Sequence, residues 1–163
     1  MENDTTLYLA YGSNMNVGQM AHRCPNATPL GGFYLPDYRL VFRGVADIDR
    51  SEGDAVPVAL WKVTEECLAS LDIYEGVESG LYERINLGHY FEPNAFMTYS
   101  MKSVAIRRPS KWYYNTIHEG YKDFGLSTDF LKNARTHSVE NETVVRYNNY
   151  LGDRRGEWWY NTT

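Results

Sequence analysis

Cysteine is scarce in this chain. Cys24 and Cys67 are the two among 163 residues, too few for a disulfide scaffold and consistent with buried apolar thiols in a reducing compartment. Basic charge is short as well: 16 Lys and Arg stand against 21 Asp and Glu, a formal net charge of −5. A protein that displaces counterions from nucleic acid needs the opposite balance, and Arg107-Arg108 and Arg154-Arg155 are too small as patches to reverse it. No apolar run approaches the ~20 residues that span a bilayer. The start, Met1-Glu2-Asn3-Asp4-Thr5-Thr6, is acidic and polar where an export signal would be basic and then apolar. The expectation is a soluble cytoplasmic protein with neither nucleic acid nor membrane as a partner.

Ligand patterns are also missing. His22, His89, His118 and His137 are scattered, with no pair at the spacing of a zinc helix, so no metal is expected. Neither a P-loop nor a dinucleotide-type glycine pattern occurs, which argues against nucleotide cofactors.

What is present begins near the N-terminus. The strand-like run Leu7-Tyr8-Leu9-Ala10 breaks abruptly into Tyr11-Gly12-Ser13-Asn14-Met15. A small-residue turn at the end of an apolar strand gathers backbone N–H groups at one point, and such a nest suits a carboxylate or phosphate. Gly, Ser and Asn are also ordinary turn residues, so the same stretch reads equally as a change of chain direction. Ser13 as a nucleophile lacks the second glycine of a nucleophile elbow and has no evident base.

Further strands are expected over Phe33 to Arg43 and Val56 to Val63, with the polar stretch Asp47 to Asp54 as a surface loop between them. Thr64 reads as an N-cap, Glu65 and Glu66 as its acidic first turn, and Cys67, Leu68 and Leu71 as a buried helical face; Gly76 ends that helix after Glu75. Leu81 to Phe91 and Phe96 to Met101 read as a hairpin turning at Glu92-Pro93-Asn94. Pro109-Ser110 opens a helix through Tyr113, Ile117 and Tyr121 that stops near Gly125, and a short helix from Ser127 or Asp129 runs to about Ala134. The interleaving predicts a mixed α/β (α+β) domain over residues 1–140, a mixed or antiparallel sheet with flanking helices. Residues 141–163, with Trp158-Trp159-Tyr160, form a C-terminal extension packing on the domain or on a partner.

Glu75 is the second focus. At a helix C-terminus the last carbonyls make a carboxylate locally unfavourable. Burial near Tyr74 and Tyr82 would raise its pKa further, into the range that suits a proton shuttle at neutral pH. The alternative is that it points into water, as surface glutamates do.

Tyr11-Gly12-Ser13-Asn14-Met15 resembles the YGSN signature of the γ-glutamylcyclotransferase-like (AIG2-like) proteins. Leu71-Asp72-Ile73-Tyr74-Glu75-Gly76-Val77 resembles the segment that carries that family's catalytic glutamate. Gly53 to Lys62 is similar to the strand leading into the glutamate helix, and Pro109-Ser110-Lys111-Trp112-Tyr113 through Gly125-Leu126 extends the likeness, which covers roughly residues 7–130. The resemblance implies a curved mixed sheet or partial barrel with helices outside. It implies a pocket in which Tyr11, Gly12, Ser13, Asn14 and Met15 hold the α-carboxylate of a γ-glutamyl group, Glu75 moves protons, and Tyr82 and Tyr113 contact substrate. The implied reaction releases 5-oxoproline and a free amine or amino acid without cofactor. The implied partner is a small γ-glutamyl amide, with a homodimer left open. A non-catalytic module that sequesters a small ligand in the same pocket, and a Ser-dependent hydrolase, stand as the alternatives.

Overall fold

The computed structural model describes residues 5–88, 96–101 and 103–143. Its centre is an open five-stranded sheet in the order β2-β3-β1-β5-β4, built from β1 (Thr6–Ala10), β2 (Thr28–Phe42), β3 (Ala46–Val63), β4 (Tyr82–Asn86) and β5 (Phe96–Met101). β1 pairs antiparallel with β3 and parallel with β5, so the N-terminal strand sits at the middle of a mixed sheet. β2 and β3 form one long antiparallel ribbon, and β4 pairs antiparallel with β5. This is the mixed α+β architecture that the interleaving of elements predicts.

The polar stretch 47–54 is a correction. It forms the first half of β3 rather than a surface loop: Asp47 to Arg50 pair residue for residue with β2, from Phe42↔Ala46 to Tyr38↔Arg50, and residues 51–54 lie opposite a register shift between Pro36 and Tyr38. The reason lies in the partners that folding supplies: Ala46, Asp47 and Ile48 are buried at the tip end of the strand, and exposure grows toward residues 52–54, so burial changes along the strand rather than alternating across it. Asp47 is itself buried, but its Oδ2 accepts from Arg43 Nε at 2.8 Å and its Oδ1 from the Met101 amide at 3.0 Å. β2 also begins earlier than expected, at Thr28, and crosses a register shift between Pro29 and Gly31. The ribbon's tight tip, residues 43–45, therefore lies beside the site described below.

Helices α1 (Val17–Arg23), α2 (Glu65–Glu75), α3 (Lys111–Asp123) and α4 (Asp129–Glu140) flank the sheet. α2 follows its local signals. The Thr64 side chain accepts from the Cys67 amide, and Gly76, at φ 65°, closes the helix with the Val77 amide on the Asp72 carbonyl and its own amide on Ile73. α3 starts at the Ser110 cap as expected. α4 continues to Glu140 rather than stopping near Ala134, because Leu131, Ala134 and Ser138 keep one face buried through the last turn. α1 is an element that the sequence reading lacks. Asn16 caps it by accepting from the Gln19 amide, and the same side chain's Nδ2 donates to the Thr116 carbonyl and to Glu119 of α3. The expected hairpin turn at Glu92-Pro93-Asn94 and residues 144–163 of the extension lie outside the described residues.

Candidate active site

β1 ends at Ala10, and a single 3₁₀ turn, Ser13–Met15, follows at once. The Met15 and Asn16 amides close this turn on the Gly12 and Ser13 carbonyls, both at 3.0 Å. Two glycines let other elements come close to it. A Cβ on Gly120 of α3 would stand 2.7 Å from Met15 Cβ and 2.9 Å from the Asn16 amide nitrogen, so α3 packs on the turn at a distance no side chain permits. A Cβ on Gly12 would stand 3.0 Å from the Tyr113 hydroxyl.

Beside the turn is a cavity of about 210 Å³. Tyr8 of β1 and Tyr11 just after it line it with Gly12, Ser13 and Asn14; Tyr74 and Glu75 enter from the end of α2, Tyr82 from β4, Tyr99 from β5 and Tyr113 from α3. Val45, Ala46 and Leu81 complete the lining. Seven of the eight expected site residues thus meet around one space. Met15 does not: it is fully buried under Gly120 and belongs to the packing behind the turn.

The hinge of the arrangement is the Asn14 carboxamide, itself buried. Its Nδ2 donates to Glu75 Oε1 at 3.1 Å and to the Tyr8 hydroxyl at 3.0 Å. Its Oδ1 accepts from Arg23 Nη1 at 2.5 Å. An arginine has no acceptor atoms, so the contact with Arg23 assigns the carboxamide's oxygen and leaves its nitrogen toward Glu75 and Tyr8. The turn after β1 and the end of α2, 61 residues apart in sequence, are thereby joined through one side chain.

Burial pushes the Glu75 carboxyl up to about 7, and the positive charge of Arg23 and the Asn14 hydrogen bond act in the opposite direction without cancelling it. Burial also holds Tyr8, Tyr11, Tyr82, Tyr99 and Tyr113 above the ordinary phenol range, reinforced by nearby acidic or phenolic groups. These hydroxyls are therefore neutral donors at physiological pH.

Their protons divide into two groups. Tyr82 donates to the Ala46 carbonyl at 2.7 Å, Tyr11 to the Tyr99 carbonyl at 2.5 Å, and Tyr99 to Asp72 Oδ1 at 2.7 Å. These three are committed to the protein. Tyr8, by contrast, accepts from Asn14, and Tyr113 accepts from the Ala46 amide at 3.0 Å, so each retains its proton for an acceptor placed in the cavity. Tyr82 and Tyr113 together clamp the Ala46 peptide from both sides, which fixes the ribbon tip as a wall. The buried Arg43–Asp47 pair, with Arg43 Nη1 also donating to the Ala105 carbonyl, anchors that wall from behind.

Ser13 Oγ lies 3.3 Å from both the Tyr74 hydroxyl and Arg23 Nη1. Neither neighbour is a base, so the geometry offers Ser13 no activation as a nucleophile. Among the described residues no cluster of three or more His, Cys, Asp or Glu forms a possible metal site, and no helix is long and apolar enough to cross a membrane.

Sequence reasoning missed Arg23, Tyr8 and Tyr99. A signal for Arg23 existed: Asn16 as N-cap, Cys24-Pro25 as a stop, and Gln19 and Arg23 four apart on one face of the short helix between them. Tyr8 was visible as an alternate position of a strand that ends in the turn, sharing its face with Ala10.

The family model described as AIG2-like matches residues 55–133, which include Glu75, Tyr82 and Tyr113. The γ-glutamylcyclotransferase of Bos taurus is 31% identical over 154 residues, spanning 85% of this chain and 81% of that protein. The γ-glutamylcyclotransferase of Homo sapiens is 31% identical over 166 residues, 93% of this chain and 84% of that protein. Among solved structures, a γ-glutamyl cyclotransferase superposes with a TM-score of 0.71 at 26% identity, covering 96% of this chain and 98% of that chain.

Proposed function

The chain belongs to the AIG2-like γ-glutamylcyclotransferase family, and from that premise we propose that it cyclises a small γ-glutamyl amide to 5-oxoproline, with Glu75 as the acid and base. It is an enzyme of the γ-glutamylcyclotransferase type. The observation that carries the mechanism is the meeting of Glu75 with Asn14 of the turn, at 3.1 Å across a shared cavity.

The chemistry follows from the substrate's own groups. The α-amine of a γ-glutamyl group attacks its γ-carbonyl carbon, a new C–N bond closes a five-membered ring, and the bond to the departing amine breaks. Holding amine and carbonyl in near-attack geometry supplies on the order of 7 to 11 kcal/mol of the barrier. An α-amine titrates near pH 8, so at neutral pH a base must first remove its proton. A carboxyl at about 7 is well matched to do so and then to return the proton to the leaving amine.

The two uncommitted phenols, Tyr8 and Tyr113, suit the substrate's oxygens. One hydrogen bond to the γ-carbonyl stabilises the charge that develops there as the ring closes. The turn at Gly12, Ser13 and Asn14 is the part of the lining suited to the α-carboxylate, while Tyr82 supplies a ring wall. A Ser13-dependent hydrolase has no base beside its nucleophile.

The test is incubation with a panel of γ-glutamyl amides and detection of 5-oxoproline, comparing wild type with Glu75→Gln. Turnover by the wild type, lost in the variant while a substrate analogue still binds, is the expected result. Turnover undiminished in Glu75→Gln removes the proposed acid and base, and absence of turnover across the panel removes the reaction.

A further inference from the structure

Arg23 sits outside the cavity lining yet touches three parts of the site. Its Nη1 donates to Asn14 Oδ1 at 2.5 Å and lies 3.3 Å from Ser13 Oγ. Its Nη2 donates to Gln19 Oε1 at 2.6 Å, one turn back on α1. Its guanidinium carbon stands 3.6 Å from the centroid of the Tyr74 ring, the residue before Glu75. Hydrogen bonds along its edge and the Tyr74 ring against it restrain the guanidinium from two sides.

We propose that Arg23 is a positioning residue: by locking the Asn14 carboxamide with its oxygen outward, it aims the amide's two hydrogens at Glu75 and Tyr8 and ties the substrate-binding turn to the end of α2. The role rests on the cyclotransferase reading for its catalytic meaning, but the geometry stands without it. If the carboxamide rotated by half a turn, its oxygen would face the Glu75 carboxylate and its NH₂ would face the guanidinium. Both contacts would then oppose like with like. Arg23 is thus the group that makes one of two sterically equivalent states the bound one. Through Tyr74 it also holds the last turn of α2, so that the carboxylate and the turn keep one separation.

Arg23 bears on Glu75 electrostatically as well. Among the described residues, the other titratable groups that line the cavity with that carboxyl are Tyr74 beside it on α2, Tyr8 from β1, Tyr11 just after that strand, Tyr82 from β4, Tyr99 from β5 and Tyr113 from α3; burial keeps Tyr8, Tyr11, Tyr82, Tyr99 and Tyr113 neutral. Arg23 is accordingly, among the described residues, the cation that opposes the rise of the Glu75 pKa. Charge and positioning can be separated, because lysine keeps the charge and loses the fork and the ring stack.

The experiment compares wild type, Arg23→Lys and Arg23→Gln. Where turnover is measurable, kcat should fall 10- to 100-fold in both variants with KM changed less than 5-fold. The acid limb of kcat/KM should move up by about one pH unit in Arg23→Gln but stay within a few tenths in Arg23→Lys. In an Asn14→Ala background the Arg23→Gln change should cost little further, since the two residues act in series. A second readout needs no activity: hydrogen exchange of the Asn14 side-chain amide, followed by NMR, should quicken at least 10-fold in both variants. If either variant keeps kcat within twofold of wild type, or if Asn14 exchange is unchanged, the positioning role is overturned. If no γ-glutamyl amide is turned over by the wild type but Asn14 exchange responds as described, the cyclotransferase reading fails and the positioning role survives.

Discussion

Asp72 and Glu75 stand one turn apart on the same helix and face the same end of the sheet, yet the fold treats them in opposite ways. Asp72 accepts from Arg84 with both oxygens and from the Tyr99 hydroxyl. Its burial opposes ionisation, but the hydrogen bonds and charge of Arg84, with Tyr99, hold its carboxyl below the ordinary range. Glu75 is more deeply enclosed and meets a neutral carboxamide, with its nearest cation one residue removed, so burial wins and its carboxyl rises to about 7. Helix position does not explain the difference, since both lie in the last turns of α2. The partner does. A carboxylate given a bidentate guanidinium becomes a fixed strut, and one given only an amide remains able to exchange a proton near neutrality.

The largest consequence falls on Glu75. Glu75→Gln keeps the size and the hydrogen bond to Asn14 but removes the exchangeable proton, and kcat should fall by about 10²–10⁴-fold. Asp72→Asn should leave kcat within about threefold. Comparable losses in the two variants, measured as 5-oxoproline release under saturating substrate, would erase the distinction between strut and shuttle.

The next effect is on stability. Because the folded pKa of Glu75 lies above its unfolded value of about 4.5, the fold favours the protonated form. The stability linked to this group is present in full below about pH 4.5 and is lost as pH rises through about 7. Glu75→Gln escapes that loss, so it should match wild type near pH 4 and exceed it by about 3 kcal/mol near pH 8. Denaturant melts at the two pH values decide it. A difference that is constant with pH would mean that Glu75 titrates as an exposed acid.

How much of this is legible in the sequence depends on the range of the interaction. Helix α2 is read correctly from Thr64, Glu65, Glu66 and Gly76 because capping and termination act within one turn. The grouping of the turn after β1 with Glu75 rests on family likeness, since nothing local ties residue 14 to residue 75. The strand character of residues 47–54 is hidden because its buried carboxylate, Asp47, is satisfied by Arg43 at the ribbon tip and by the Met101 amide of β5. Asp47 reads as a loop residue until those partners are in hand. Arg23 carries a local signal for its place on a short helix, but its functional meaning lies in Asn14 and Tyr74, which only folding brings to it.

Asp72→Asn sharpens the strut side of the comparison. Arg84 is 42% exposed at its side chain and Asp72 28%, so solvent screening limits the pair, and the loss should be about 1 kcal/mol at neutral pH. The sign is the reverse of that for Glu75. A carboxyl whose folded pKa is depressed contributes stability above its unfolded pKa, and the contribution disappears as pH falls through the folded value. Wild type and Asp72→Asn should therefore converge in acid, whereas wild type and Glu75→Gln should diverge as pH rises.

The smallest expected effect belongs to Tyr99→Phe, and it is the one that tests whether strut and shuttle are insulated from each other. Tyr99 forms part of the cavity wall, but its proton goes to Asp72 at 2.7 Å, so the ring serves the site and the hydroxyl serves the strut. Removing the oxygen leaves the ring's edge-on contact with Tyr8 in place, at 5.7 Å between centroids, and leaves the Tyr99 carbonyl to hold Tyr11. The cost should be about 0.5–1 kcal/mol of stability, one hydrogen bond to a charged group shared with Arg84. Turnover should stay within about twofold, and the acid limb of the rate profile should not move, because the group that sets it is Glu75. A Tyr99→Phe variant that shifts that limb would show the two carboxylates titrating as one coupled system, and the division of α2 into a fixed acid and a working one would fail.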